Sequence, residues 1–321
     1  MPGIVAHHVF GRDVYGKLSP LIGGEKAHRE AFLLGNLGPD PFFYLRATPL
    51  PPEVKRIGVT MHREKTVGLL DALHERMVAL GGHEGVKRAY ALGFLCHYLL
   101  DSTVHPLVYA QEFAICSKPL GELPDKWAHR VVHATIETVI DERLLTTRLG
   151  TTAAQTPPHE TMLKCPLGAL NDISRGYGQV LSRVYDAKVP PTAFVTAISL
   201  NRAGQVALDT RSAGVRRVID ILKSNSAATA YVDALSIRPD RLLATKFGND
   251  DHVPWPDPYC AGRVIDSSFD ELFARALDRA LDVLPVYAQP ALGPGWCEGF
   301  VGDINFLGRR EGAVPVSLVT K

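Results

Sequence analysis

The segment His97-Tyr-Leu-Leu-Asp101-Ser-Thr-Val-His105 constrains this chain more than any other. Three potential metal ligands recur at every fourth position inside an otherwise apolar run from Ala89 to Tyr109. On a helix each step of four advances about 40° around the axis and about 6 Å along it, so the three side chains form one stripe. His97 and His105 then stand about 12 Å apart along the axis, too far to share one ion whose ligands lie about 2 Å away. His97 and Asp101 can share one metal while His105 reaches toward another, and a carboxylate between two histidines can bridge two ions. The pattern points to a multi-metal site, and such sites are mostly hydrolytic.

A solvated polar face would give the same spacing, but the neighbours argue against it. Leu92, Phe94, Leu95, Cys96, Tyr98, Leu99, Leu100, Val104, Leu107 and Val108 make the helix apolar all round, which is the signature of a buried one. Buried His and Asp need partners, because each unpaired polar group costs about 1–3 kcal/mol. A metal supplies those partners together. A second stripe, on a helix expected from Trp127 to Leu145, carries His129, His133, Glu137 and Asp141. His133 and Glu137 lie on adjacent turns and can reach one ion. His129 is either a further ligand or an outer group. Asp141 is expected to orient a ligating histidine, since such rings donate their free N–H to a carboxylate. Nearer the start stand His7 and His8, then Asp40 in a loop between Pro39 and Pro41, then His62, expected to open a helix running through Leu70 to Leu80.

The ordered set resembles the zinc-dependent phospholipase C superfamily, which also contains zinc-dependent single-strand nucleases. The resemblance rests on Ala6-His7-His8, Leu34-Gly35-Asn36-Leu37-Gly38-Pro39-Asp40, Met61-His62, Gly93 to Pro106 with its three ligands, and His133-x-x-x-Glu137. It covers about the first 145 residues, and is narrower still with the bacterial phospholipase C-like members, which share a segment like Asn249 to Pro258 followed by a helix like Ser268-Phe-Asp-Glu-Leu-Phe. The resemblance implies an all-α, multi-helix bundle of the phospholipase C/zinc-nuclease type and two or three zinc ions. It implies one ion held by Asp40, His62, His97 and Asp101, a second bridged by Asp101 and also bound by His7, and a third held by His105, His133 and Glu137. In the secreted phospholipases the mature amino terminus is itself a ligand, after a longer spacer than the one between Pro2 and His7 here. His7 is therefore the ligand expected to be displaced from the cluster, with His8 competing for its role.

The chain of 321 residues can bury a large core in one domain or divide into two. Thr151 to Pro158 is the best boundary. It separates a metal-binding helical core, residues 1–150, from a helical C-terminal region, residues 151–321, expected to pack on it as one unit. Helical periodicity marks segments near 24–35, 62–80, 86–109, 126–146, 168–186, 191–223 and 268–284, and strand alternation is scarce. With 35 basic and 34 acidic residues the net charge is +1, which gives no electrostatic argument for nucleic acid or an anionic membrane. No apolar run is long enough for a transmembrane segment, no secretory signal is visible, and five scattered cysteines imply no disulfide framework; the expectation is a cytoplasmic protein. Cys96 is expected to pack as a small hydrophobe and Trp255 to cover the core. Arg211, Arg216, Arg217 and Lys223 read as solvated helix charges, and His74, His83 and His159 as surface residues.

The chemistry expected is hydrolysis of a phosphodiester by metal-activated water attacking phosphorus, with Asp40 as a ligand that also accepts a proton. The substrate expected is a phosphodiester, a phospholipid among the options. Two other readings compete: a nuclease or small-molecule phosphoesterase on the same metal core, and a metal-stabilised protein without catalysis.

Overall fold

The computed structural model describes residues 3–79, 85–118, 120, 123–209, 227–237 and 246–316. Its regular structure is helical apart from one antiparallel pair of two-residue strands, Trp255–Pro256 and Val264–Ile265. The order is α1 (Ile4–Ile22), α2 (Lys26–Gly35), a 3₁₀ helix (Asp40–Ala47), α3 (Pro52–Arg63), α4 (Thr66–Leu73) running into a π-helical turn (His74–Ala79), α5 (Val86–Ile115), α6 (Asp125–Leu149) and the short α7 (Pro158–Thr161). There follow α8 (Leu167–Tyr185), α9 (Ala193–Ala207), α10 (Ala227–Ala234), α11 (Phe269–Tyr287) and α12 (Trp296–Val301). One apolar core runs through these elements from Val5 to Phe306.

The central element is α5, whose side chains are buried along most of its length, as its apolar surround requires. It packs against α2, α11, α6 and α1. Its approach to α2 is backbone to backbone. A Cβ at Gly93 would fall 2.1 Å from the Phe32 carbonyl oxygen, and one at Gly35 would fall 2.2 Å from that of Tyr90. Only glycine at both positions lets the helices touch, and this contact seats Asn36 and the turn before Asp40 against α5. In that turn Gly38 has φ +49°, and a Cβ there would meet the His97 ring at 2.4 Å.

Two helix ends show ordinary capping. Ser268 and Glu271 form a capping box at the start of α11. Gly150, left-handed at φ +61°, stops α6. At the start of α1 the cap comes from another helix: Asp141 on α6 accepts from the Val5 and Ala6 backbone N–H groups at 3.1 and 2.9 Å. A Cβ at Gly3 would strike that carboxylate, so a side chain there would push Asp141 aside.

Several expectations need correction. His62 does not open a helix; it lies in the last turn of α3, and the chain breaks at Glu64 and Lys65, where Lys65 has φ +58°, before α4 starts at Thr66. Asp40 does not sit in an irregular loop but begins the 3₁₀ helix, because Pro39 and Pro41 supply the φ such a helix needs. α5 continues past Tyr109 to Ile115 in spite of Pro106. His74 is buried, with Nε2 donating to the Gln289 carbonyl at 2.9 Å, and His159 is half-buried. Trp255 does meet its expectation: it is buried in the core and donates from Nε1 to the Ser267 carbonyl. Cys96 likewise packs as expected, buried and free. His83, Arg211, Arg216, Arg217 and Lys223, with much of the 191–223 segment, lie outside the described residues.

Gly93→Val should force α2 and α5 apart and destabilise the protein by about 3 kcal/mol. Urea unfolding of the two proteins measures it; an unchanged midpoint would mean that the backbone contact is not tight.

Candidate metal centre

Five elements bring the ligand-type side chains together. α1 supplies His7, the 3₁₀ helix Asp40, α3 His62, α5 His97, Asp101 and His105, and α6 His133 and Glu137. These residues form three groups whose donor atoms are close enough to hold a metal: His7, His97 and Asp101; Asp40, His62 and His97; and His105, His133 and Glu137. His97 belongs to two of them, and Asp101 connects all three.

Asp101 is fully buried at the centre. Its Oδ1 lies 3.2 Å from His7 Nε2, and its Oδ2 lies 3.2 Å from His97 Nε2, 3.8 Å from His62 Nε2 and 3.6 Å from His105 Nδ1. Asp40 Oδ1 stands 3.1 Å from His62 Nε2 and 4.0 Å from His97 Nε2. In the third group Glu137 Oε1 stands 3.0 Å from His133 Nε2 and 3.8 Å from His105 Nε2. His7 and His97 stack with ring centroids 4.1 Å apart, which crowds their nitrogens toward the same carboxylate.

The rings are held from behind. His97 Nδ1 donates to the Asn36 carbonyl at 3.0 Å, His62 Nδ1 to the Gly58 carbonyl one turn back at 2.6 Å, and His105 Nδ1 to the Phe306 carbonyl at 2.9 Å. A carbonyl only accepts, so each Nδ1 carries the proton and each Nε2 presents its lone pair to the group. His133 Nδ1 donates to Glu112 Oε2 at 2.7 Å, and His129 Nδ1 to the other oxygen, Oε1, at 2.6 Å. His129 and His133 thus share the Glu112 carboxylate, and His129 is in none of the three groups. Outer partners of this kind fix the tautomer and orientation of a metal-binding imidazole.

The donor atoms themselves fit a cation. Both His7 nitrogens, Asp40 Oδ1, His62 Nε2, His97 Nε2 and both oxygens of Asp101 are buried without a hydrogen-bond partner. They approach one another closely yet do not align as donor and acceptor, as groups aimed at a common point do. Buried polar atoms left so would each cost about 1–3 kcal/mol. Nitrogen and oxygen donors in groups of three match the preference of zinc for His and carboxylate ligands.

The electrostatics keep the central carboxylate charged. Burial alone would raise the Asp101 pKa, but His97 and His105 outweigh it and hold it well below the usual range. Burial also disfavours charge on His97, yet Asp101 and Asp40 raise its basicity above the ordinary value. Burial and the neighbouring His97 lower that of His7.

Three expectations fail here. His7 is not displaced: its ring lies in the centre, fully buried. His8 does not compete with it, because one residue step along a helix turns the side chain by about 100° to a different face; burial, with Arg12 and Arg29 nearby, lowers its pKa to about 4. Asp141 does not orient a histidine; its two oxygens cap α1, the helix that carries His7, and burial pushes its pKa up to about 8. Glu112, Asn36 and Phe306 escaped the sequence reading. Glu112 alone left a signal, seven residues beyond His105 and so on the same stripe of α5.

The geometry defines a helical protein with a buried cluster of histidines and carboxylates fit for metal. A family model described as zinc dependent phospholipase C matches residues 6–185, more than half of the chain. The chain belongs to the zinc-dependent phospholipase C family. No curated protein and no solved structure matches it. Among the described residues no helix is long and apolar enough to cross a membrane.

Glu112→Gln leaves one acceptor oxygen where two rings now donate, and should weaken metal binding by about 10- to 100-fold; titration of chelator-stripped protein with zinc reads this directly. Asp141→Asn tests the cap. The native carboxyl pKa of about 8 lies above its ordinary value of 3.8, so its favourable effect is complete below pH 3.8 and is lost as the pH rises through 8. The stability deficit of Asp141→Asn should therefore shrink between those limits, as denaturation at a series of pH values would record. A constant deficit would contradict the raised pKa.

Proposed function

We propose that the protein is a zinc-dependent hydrolase of phosphodiesters, of phospholipase C type, with a phospholipid-type substrate and a cytoplasmic location. The observation that carries the proposal is Asp101, a buried carboxylate that turns one oxygen to His7 and the other to His97, His62 and His105 without a hydrogen bond to any of them. That arrangement suits a bridge between two ions. Asp40, His62, His97 and Asp101 would hold one, Asp101 and His7 a second, and His105, His133 and Glu137 a third. Family membership supports zinc and a phospholipid-type substrate, and five free cysteines accord with a reducing compartment.

Bound zinc supplies water of lowered pKa and neutralises the negative oxygens of a reacting phosphodiester. The residues of the chain do the rest. The carbonyls of Asn36, Gly58 and Phe306 keep protons on Nδ1, so that His97, His62 and His105 turn Nε2 toward the centre. Asp40, beside His62 and in the same group as His97, accepts a proton from the attacking water. Burial of the centre strengthens each of these interactions by excluding bulk solvent.

Elemental analysis of protein purified without chelator should find two or three zinc ions per chain. Asp101→Asn should disturb two of them and Glu137→Gln one. The loaded protein should hydrolyse nitrophenyl-phosphocholine or bis-nitrophenyl phosphate, with activity falling at acid pH as the imidazoles protonate. Asp40→Asn should lower turnover by at least about 100-fold. Metal-free protein that takes up no zinc on reconstitution would sink the proposal. Full loading without hydrolysis of either ester would make the centre a structural one, and cleavage of single-stranded DNA in preference to both would make the protein a nuclease.

A further inference from the structure

His7 and His8 are neighbours in sequence but face different surroundings. His7 enters the metal centre, whereas His8 lines a cleft of about 330 Å³ between α1, α2 and the segment after α7. Arg12 of α1, Lys26, Arg29 and Glu30 of α2, and Lys164 share that lining. Four cations thus face one carboxylate, in a chain whose overall charge is only +1. The carboxylate does little to offset them. Glu30 stands 3.9 Å from Lys26, and among the described residues Arg12, Arg29 and Lys164 have no acidic partner within ion-pair distance. The Arg29 guanidinium instead lies over the Tyr15 ring, 5.7 Å from its centroid.

Exposed cations usually point apart into solvent. Here three separate segments bring them to one concavity, and the lining includes an imidazole whose Nδ1 is buried without a hydrogen-bond partner. The volume falls at the lower end of small-molecule sites, about 300–1,000 Å³, too large for a bare ion alone and suited to a small ester. Arginine pairs its planar fork of N–H donors with phosphate oxygens, and lysine adds point charge. The cleft is lined by none of the residues of the metal centre.

We propose that this cleft is a second site, separate from the metal centre, that binds a phosphate-bearing small molecule or headgroup through Arg12, Arg29, Lys26 and Lys164. A soluble phosphomonoester and the phosphate of a membrane lipid offer the same chemistry. The site does not depend on the reaction proposed for the metal centre.

The test uses the full chain with its metal content unaltered and the double variant Arg29→Gln/Lys164→Gln, whose positions are both exposed. Thermal melting and zinc analysis should be the same for both proteins, which separates this site from the metal centre. Calorimetric titration with glycerol phosphate and cosedimentation with phosphatidylglycerol vesicles provide the two arms. A tenfold or greater weakening of glycerol phosphate binding in the variant supports the site with a soluble ligand. Loss of vesicle cosedimentation alone supports it with a lipid headgroup. Equal behaviour of the two proteins toward both probes, or no binding of either probe by the wild type, overturns the proposal, whatever the outcome of the zinc and hydrolysis measurements.

Discussion

The buried charge of Asp101 is the constraint on which the structure turns. A carboxylate removed from water without compensation is among the most costly things a fold can contain. Here compensation requires His7, His62, His97 and His105 to arrive from α1, α3 and α5 around one atom group. The packing of those helices is therefore not free to vary by a turn or a register. The glycine contact between α2 and α5 serves the same end, since it brings the Asn36 carbonyl and the Asp40 turn within reach of the His97 ring. The Asp141 cap fixes the start of α1, and so the position of His7.

The stripe of α5 and the His133–Glu137 pair were legible because helical spacing carries them, and an apolar surround implied burial. α1 was not legible as a helix. Gly11, Gly16 and Pro20 interrupt its pattern, and its first turn is stabilised by a carboxylate from α6 rather than by a local cap. The position of His62 was misjudged because apolar spacing continues through Leu70, while the break that ends α3 depends on a single left-handed backbone at Lys65. Glu112 lies beyond the apolar run that ends at Tyr109, whereas the helix itself goes on to Ile115.

The partners behind the imidazoles show a deeper limit. For His97, His62 and His105 the acceptor is a main-chain carbonyl. Every residue has such a group, so no side-chain identity at Asn36, Gly58 or Phe306 announces the role. Only the backbone path reveals which carbonyl points where. His133 and His129 are the contrast: they use a side-chain carboxylate, and Glu112 could be found by extending the stripe. Asp141 was read from spacing alone, and spacing could not tell a ring nitrogen from the free N–H groups at the start of another helix.

The carbonyl of Phe306 comes 201 residues after the ring it holds. The chain returns over the centre near its far end, with Phe306 packed 5.8 Å from His97 and 5.5 Å from His62, and Gly308 set against Pro106 of α5. During synthesis α1, α3, α5 and α6 all leave the ribosome before this segment exists. The ligand-type residues are thus all made well before the main-chain carbonyl that fixes the proton on His105. A ring oriented by so distant a carbonyl is held only once the chain has come back to it.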